Sequence, residues 1–332
     1  MEEIQMKDIL VAVDTGKHST KALINLGQRI ERIIFRTKIQ KVNNLGVDIT
    51  PNSYLVDFNG KSYLVGNMVS ENQSDYNISK SSINHQLSIY VAIAKLIEKA
   101  DVMKFGLPNV HLGINLPINI YKNNTLKIQY QNMIQNNGQI ITLKVNNIAY
   151  CFRITNIILL PEAVGSTYYR PSEFRDTKAT VIDIGSLNTT YCTFKNLIPE
   201  LDSMVVANSG ISILRAKLAE TLKAKYGVYV DDNDTEEILK DKCLYINGDK
   251  VEESTGIINE LINTHVLEIF NFAKSRNITF NNSKLVFVGG GSALLHDYLL
   301  SHYPSAIIED NSQLSNVTSY LKVLEIKYNG KK

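Results

Sequence analysis

Val11-Ala12-Val13-Asp14-Thr15-Gly16 returns in form, about half a chain later, as Val181-Ile182-Asp183-Ile184-Gly185. Each is an aliphatic, β-branched run that reads as a buried strand, and each ends in Asp-x-Gly, where the chain turns sharply. A third segment, Val286-Phe287-Val288-Gly289-Gly290-Gly291-Ser292-Ala293-Leu294-Leu295, passes from a strand through three glycines into a helix start. Glycines let backbone N–H groups approach phosphate oxygens, a following helix N-terminus favours negative charge, and carboxylates suit a hydrated Mg²⁺. The trio therefore points to a nucleotide held between two related lobes. A lone Asp-Gly turn ends many strands; two copies with the triple glycine in order are a stronger signal.

The chain has 332 residues, enough for about two domains with sizeable cores. Hydrophobic residues make up 44% and charged residues 20%, the composition of a soluble globular protein. A formal charge of +2 gives no general nucleic-acid surface. Cys151, Cys192 and Cys243 lie far apart without CxxC spacing and read as reduced cysteines of a cytosolic protein. His85, His111, His265, His296 and His302 show no metal-ligand spacing and read as surface or satisfied core residues. The 17 tyrosines, with no tryptophan, form no periodic stacking platform for single-stranded nucleic acid. No run is long and apolar enough for a membrane span, and the acidic opening Met1-Glu2-Glu3 is unlike a signal peptide, so a cytoplasmic location and no membrane partner are expected.

Strands are expected at 9–13, 21–24 and 32–39, with a turn at Gly27. A small β-rich insertion is expected over about 36–80, with strand-like pieces at 53–58 and 61–66. A helix is expected over 88–99, a strand at 111–117 ending at Pro117, and a hairpin over 141–154. The second half begins alike, with strands at 180–184 and 189–194. Gly210 opens a helix to about Lys225, and 235–242 reads as another. Asp231-Asp232-Asn233-Asp234 reads as a solvated loop rather than a contact surface. Ile258, Ile262, Val266, Ile269 and Ala273 share one helical face.

With these motifs in order, the chain resembles the actin-like ATPases, and among them the bacterial plasmid-segregation filament proteins of the ParM type. The first phosphate loop is matched by 14–21, with Lys21 seven positions after Asp14. Pro161-Glu162-Ala163-Val164-Gly165 resembles the segment joining the lobes, 183–186 the second phosphate loop, 289–294 the adenosine loop and 310–321 the final connecting helix. The resemblance implies an α/β, actin/hexokinase-like, duplicated ribonuclease-H-like two-lobed fold with a nucleotide cleft. Lobe I would span 1–170, completed by a C-terminal helix at about 311–328. Lobe II would span 171–310, with a helical insertion at about 207–284.

It also implies roles. Asp14 and Asp183 would hold Mg²⁺, mostly through water. Lys21 would neutralise phosphate charge, and Asp183 and Glu162 would place and polarise the attacking water. Gly16, Lys17, Ser19, Thr20, Gly185 and Ser186 would line the phosphates. Gly210 would lie near the ribose, Gly289, Gly290, Gly291 and Ser292 along the adenosine, and Lys240 and Asp241 beside the adenine. Read as plain residues, Asp14 ends a strand, Lys21 is a solvated strand residue, Pro161-Glu162 is a charged helix start and Lys240-Asp241 is a wet helix face. Departures from the family pattern are Lys17 and His18 in the first loop, and Ser186, Leu187, Asn188 and Thr190 in and after the second.

One scaffold serves many functions. A DnaK-type chaperone would carry a long C-terminal substrate domain, and MreB proteins a membrane-binding element; neither is expected here, and no sugar-site aspartate stands out. The resemblance implies an ATPase, using ATP or GTP with Mg²⁺, that polymerises head to tail on binding nucleotide and separates plasmid DNA. A DNA-binding adaptor on centromere-like repeats would capture the filament, with no direct nucleic-acid contact. The alternatives are a small-molecule kinase of the same superfamily and a nucleotide-binding regulator that does not polymerise.

Overall fold

The structure is a computed structural model that describes residues 7–27, 29–43, 45–73 and 80–329. The acidic opening at 1–6 and the stretch 74–79 of the expected insertion lie outside the described residues. The chain divides into two compact units, Met1–Tyr169 with Asn316–Lys332, and Arg170–Ser315.

In the first unit the chain forms β1 (Asp8–Thr15), β2 (Ser19–Asn25), β3 (Ile30–Arg36), β4 (Ile39–Val42), β5 (Ser53–Phe58) and β6 (Lys61–Gly66). Then come α1 (Ile83–Lys99), β7 (Asn109–Leu116), α2 (Ile118–Tyr121), α3 (Asn124–Ile134), β8 (Ile141–Val145) and β9 (Ile148–Pro161). They make one nine-stranded sheet in the order β3-β2-β1-β7-β9-β8-β5-β6-β4. β1, β7 and β9 run parallel at its centre, and β7 is buried along nearly its whole length, as a strand covered on both faces must be. β9 is 14 residues long: its first part pairs with β8, its second with β7. Because β8 also pairs with β5, the β-rich region at 36–73 and the 141–154 hairpin, read separately from sequence, form one continuous sheet. α1 starts five residues before the expected 88, because the Ser82 hydroxyl caps it by accepting from His85 N–H at 3.3 Å.

The second unit contains α4 (Pro171–Phe174), β10 (Lys178–Ile184), β11 (Thr189–Lys195), β12 (Ile198–Pro199), β13 (Val205–Ala207), α5 (Ile211–Tyr226) and α6 (Asp232–Asp241). It continues with β14 (Leu244–Ile246), β15 (Asp249–Val251), α7 (Glu252–Ser275), β16 (Lys284–Val288), α8 (Gly290–Leu294), α9 (His296–His302) and β17 (Ile307–Ile308). Its main sheet runs β12-β11-β10-β16-β17, with β13 also on β11. Ile258, Ile262, Val266, Ile269 and Ala273 of α7 are all buried in the core of this unit. α10 (Ser315–Asn329) returns the chain to the first unit, where its Leu324 and the Tyr320 carbonyl lie where a Cβ on Gly113 of β7 would come within 3.1 Å of each.

The acidic run at 231–234 is a helix start and not a loop. Asp231 accepts from the N–H groups of Asn233 and Asp234, and the Asp234 carboxylate accepts from Asp231 N–H at 2.9 Å, a reciprocal capping box. His265 also departs from expectation. It is buried on α7, and neither ring nitrogen has a hydrogen-bond partner among the described residues. Burial pushes its pKa down to about 4, helped by the Lys217 charge and opposed by Glu268, whose carboxylate lies 3.8 Å away.

A histidine whose folded pKa lies below its unfolded value is stable neutral, and the unfolded chain takes up the extra proton. Stability is therefore full above about pH 6.5 and falls as the pH drops towards 4. Urea midpoints measured across that window should decline in the native chain and decline less in His265→Leu. Equal slopes would show that His265 carries none of the effect.

Candidate functional site

The two Asp-x-Gly motifs fold into the same local structure. In the first, Thr15 pairs with Thr20, leaving a turn over 16–19 closed by Gly16 N–H to Ser19 C=O at 3.1 Å. In the second, Ile184 pairs with Thr189, and Gly185 N–H donates to Asn188 C=O at 2.9 Å. A Cβ at Gly16 or at Gly185 would come to 3.0 Å from the acceptor carbonyl oxygen, which explains glycine at both. Each aspartate thereby faces the residue seven positions on across its hairpin: Asp14 faces Lys21, and Asp183 faces Thr190.

Asp14 is buried, and its Oδ2 accepts from Lys21 Nζ at 3.2 Å. Its Oδ1 has no protein partner among the described residues. Thr15 N–H donates to Asn115 Oδ1 at 3.2 Å, while the buried Thr15 hydroxyl has no hydrogen-bond partner there. Thr20 falls on the opposite strand face from Lys21, with its hydroxyl 2.9 Å from that of Thr37 in the core, so it is committed to packing. Lys17 and Ser19 are half-buried in the turn itself.

Glu162 does not open a helix; Pro161 ends β9 and Glu162 follows it, its N–H donating to Leu116 C=O at 3.2 Å. Its Oε1 accepts from Lys80 Nζ at 2.7 Å and, at a longer 3.4 Å, from Asn115 Nδ2. Lys80 and Asn115 were not legible as site residues. Asn115 had a signal, a buried-strand amide between Ile114 and Leu116; Lys80 meets its partner 82 positions away and had none. The following segment is fixed by α10: Gly165 N–H donates to Asn316 Oδ1 at 2.9 Å, Ser319 Oγ donates to Gly165 C=O at 2.7 Å, and Tyr320 hydroxyl to Pro161 C=O at 3.3 Å.

Within the second unit, the first N–H groups of α5 are spent on the turn: Gly210 donates to Leu187 C=O, Ile211 to Gly185 C=O and Ser212 to Ser186 C=O. Gly210 carries no side chain because a Cβ would lie 2.3 Å from Ser186 O. Of the three glycines, Gly289 has φ +88° and its Cβ would meet Asp183 Oδ1 at 2.4 Å, and Gly291 would meet Ile184 at 2.4 Å, whereas Gly290 faces open space. The Ser292 hydroxyl donates to Gly289 C=O at 2.8 Å and is buried. Lys240 is exposed and paired at 2.9 Å with Glu236 one turn earlier, and Asp241 is exposed at the end of α6. No group of three or more His, Cys, Asp and Glu side chains able to hold a metal occurs among the described residues.

The model of the family described as "Actin like proteins N terminal domain" matches residues 12–165. The chain has the actin-like fold. Among solved structures it is similar to apo psk41 ParM, with 17% identity, 98% of this chain and 99% of that one covered, and a TM-score of 0.72. It is similar to Ta0583, an archaeal actin homolog, in complex with ADP, with 19% identity, coverage of 96% and 99%, and a TM-score of 0.73. It is also similar to Alp12 in its filament, with 23% identity, coverage of 97% and 100%, and a TM-score of 0.72. No curated protein matches at the sequence level. The resemblance read from the motifs is thus borne out for the fold.

The glycines differ in what a side chain would meet. Gly290→Ala should leave the urea midpoint nearly unchanged, since Ala meets nothing there. Gly291→Ala should cost about 2 kcal/mol or more, the penalty of overpacking against a strand end. A Gly291→Ala variant as stable as the native chain would refute the packing account.

Proposed function

We propose that this chain is a nucleoside-triphosphate hydrolase, using ATP or GTP with Mg²⁺, whose nucleotide state drives head-to-tail filament assembly and the segregation of plasmid DNA. The observation that carries the reading is the repeated turn, which presents one carboxylate beside one glycine-closed loop in each unit. Two similar folds support it: one was solved with ADP, another as a filament.

The donors fit a hard cation: carboxylate oxygens, one of them, Asp14 Oδ1, without a protein partner among the described residues. Bound there, Mg²⁺ supplies charge neutralisation at the phosphates. Asp14 would hold the ion through water, and Asp183 would help to hold it and to place the attacking water. Lys21, held against Asp14, offers its charge to the phosphates. Gly16, Lys17 and Ser19 line the first loop, and Gly185 and Ser186 the second. Gly290, the glycine left open, gives the base and ribose a flat backbone. Lys240 and Asp241 flank the adenine. Glu162 accepts a hydrogen bond from the water and aligns it for in-line attack, a role that rests on position and electrostatics. An adaptor protein bound to centromere-like repeats couples the filament to DNA, and the chain acts in the cytoplasm.

Adding ATP and Mg²⁺ should raise light scattering and sedimentable mass above a critical concentration, with phosphate released when no acceptor is present. No assembly at any concentration would favour a regulator, and release only with an added acceptor a kinase. Glu162→Ala should slow phosphate release about 100-fold while filaments still form. Unchanged release would remove Glu162 from the mechanism.

A further inference from the structure

We propose that Lys80 is a positioning residue for hydrolysis: its ammonium fixes one carboxylate oxygen of Glu162 and leaves the other to hold the attacking water. This rests on the reading of Glu162 given above. The Lys80 and Glu162 side chains are 5% and 16% exposed, and Nζ lies 2.7 Å from Oε1. Asn115, also buried, points its Nδ2 at the same oxygen, so both donors crowd Oε1. Oε2 has no protein partner among the described residues. A carboxylate anchored through one oxygen retains the other as an acceptor of fixed direction, as alignment of a water requires.

Stability alone is a poor explanation for this pair. A buried ion pair is often no more stable than apolar side chains of the same volume, because both charges lose their hydration. Lys80 also sits at φ +51°, a left-handed conformation unfavourable for a long side chain, so its backbone bears strain to deliver the ammonium. Its charge and that of Lys17 reinforce the burial that holds His85 far below the usual imidazole range. The Glu162 carboxylate is the counter-charge that Lys80 meets there. Asn115 extends the arrangement to the first turn, because its Oδ1 accepts from Thr15 N–H, next to Asp14. One amide thus links the turn that carries Asp14 to the carboxylate that Lys80 anchors.

The role separates from a merely structural one by steady-state phosphate release with Mg-ATP in the full chain. Lys80→Met should lower kcat about 10- to 100-fold with KM for ATP changed less than about twofold, the signature of lost alignment rather than lost binding. Lys80→Arg should restore kcat to within about fivefold of the native chain, since it keeps the charge. In a Glu162→Gln background, Lys80→Met should change the residual kcat less than about twofold, because the group it positions is gone. Should Lys80→Met fail to fold, Lys80→Gln carries the same expectation. An unchanged kcat in the folded single variant, or a loss that multiplies with that of Glu162→Gln, would overturn the role of Lys80. Full activity in Glu162→Gln alone would instead overturn the catalytic reading of Glu162, and the proposal for Lys80 with it.

Discussion

One geometric constraint governs the candidate site: a turn over four residues, closed by a glycine N–H on the carbonyl three positions later. Closing the loop at that length fixes the antiparallel register, and the register places each aspartate opposite the residue seven positions on. A turn one residue longer or shorter would send Lys21 to the other face of β2, since side chains alternate along a strand. The ion pair between Asp14 and Lys21 is therefore a consequence of loop length before it is a matter of charge. The parallel strands β7 and β16, laid against β1 and β10, hold the base of each hairpin in a buried sheet.

The same economy of placement holds Glu162. Its main chain is the direct continuation of β9, its N–H bonds the end of β7, and the residues after it are clamped by α10 from the far end of the sequence. Ala163, fully buried at φ +59°, shows that this stretch is bent against local preference and kept so by its surroundings. A carboxylate set between two strands and a helix has little freedom to wander, and the remaining freedom of its side chain is what Lys80 and Asn115 remove.

Most strands, the repeated turns and α7 were legible because their signals are local: apolar period, glycine at a turn, a heptad-like face. The capping box at Asp231 and Asp234 was also written locally, as Asp-x-x-Asp before an apolar stretch, and was misread because charge runs suggest loops. The glycines at 289–291 could be seen as a loop, but not which of them serve packing; that depends on the distance to Asp183 and Ile184, over a hundred positions earlier. Lys80 and the satisfied or unsatisfied state of His265 belong to the same class. A sequence shows a residue's chemistry, and only the tertiary fold supplies the neighbour that gives it work.

The two turns, alike in backbone, differ in what faces the aspartate. Across from Asp14 stands a lysine whose ammonium lies 3.2 Å from the carboxylate; across from Asp183 stands a threonine. A carboxylate with a cation opposite is partly neutralised. The Gly289 backbone packs so closely against Asp183 Oδ1 that a methyl group there would overlap it, so the second carboxylate is also confined in direction. The two copies share one backbone device, and the exchange of Lys21 for Thr190 at the matched position gives their carboxylates unequal neighbours.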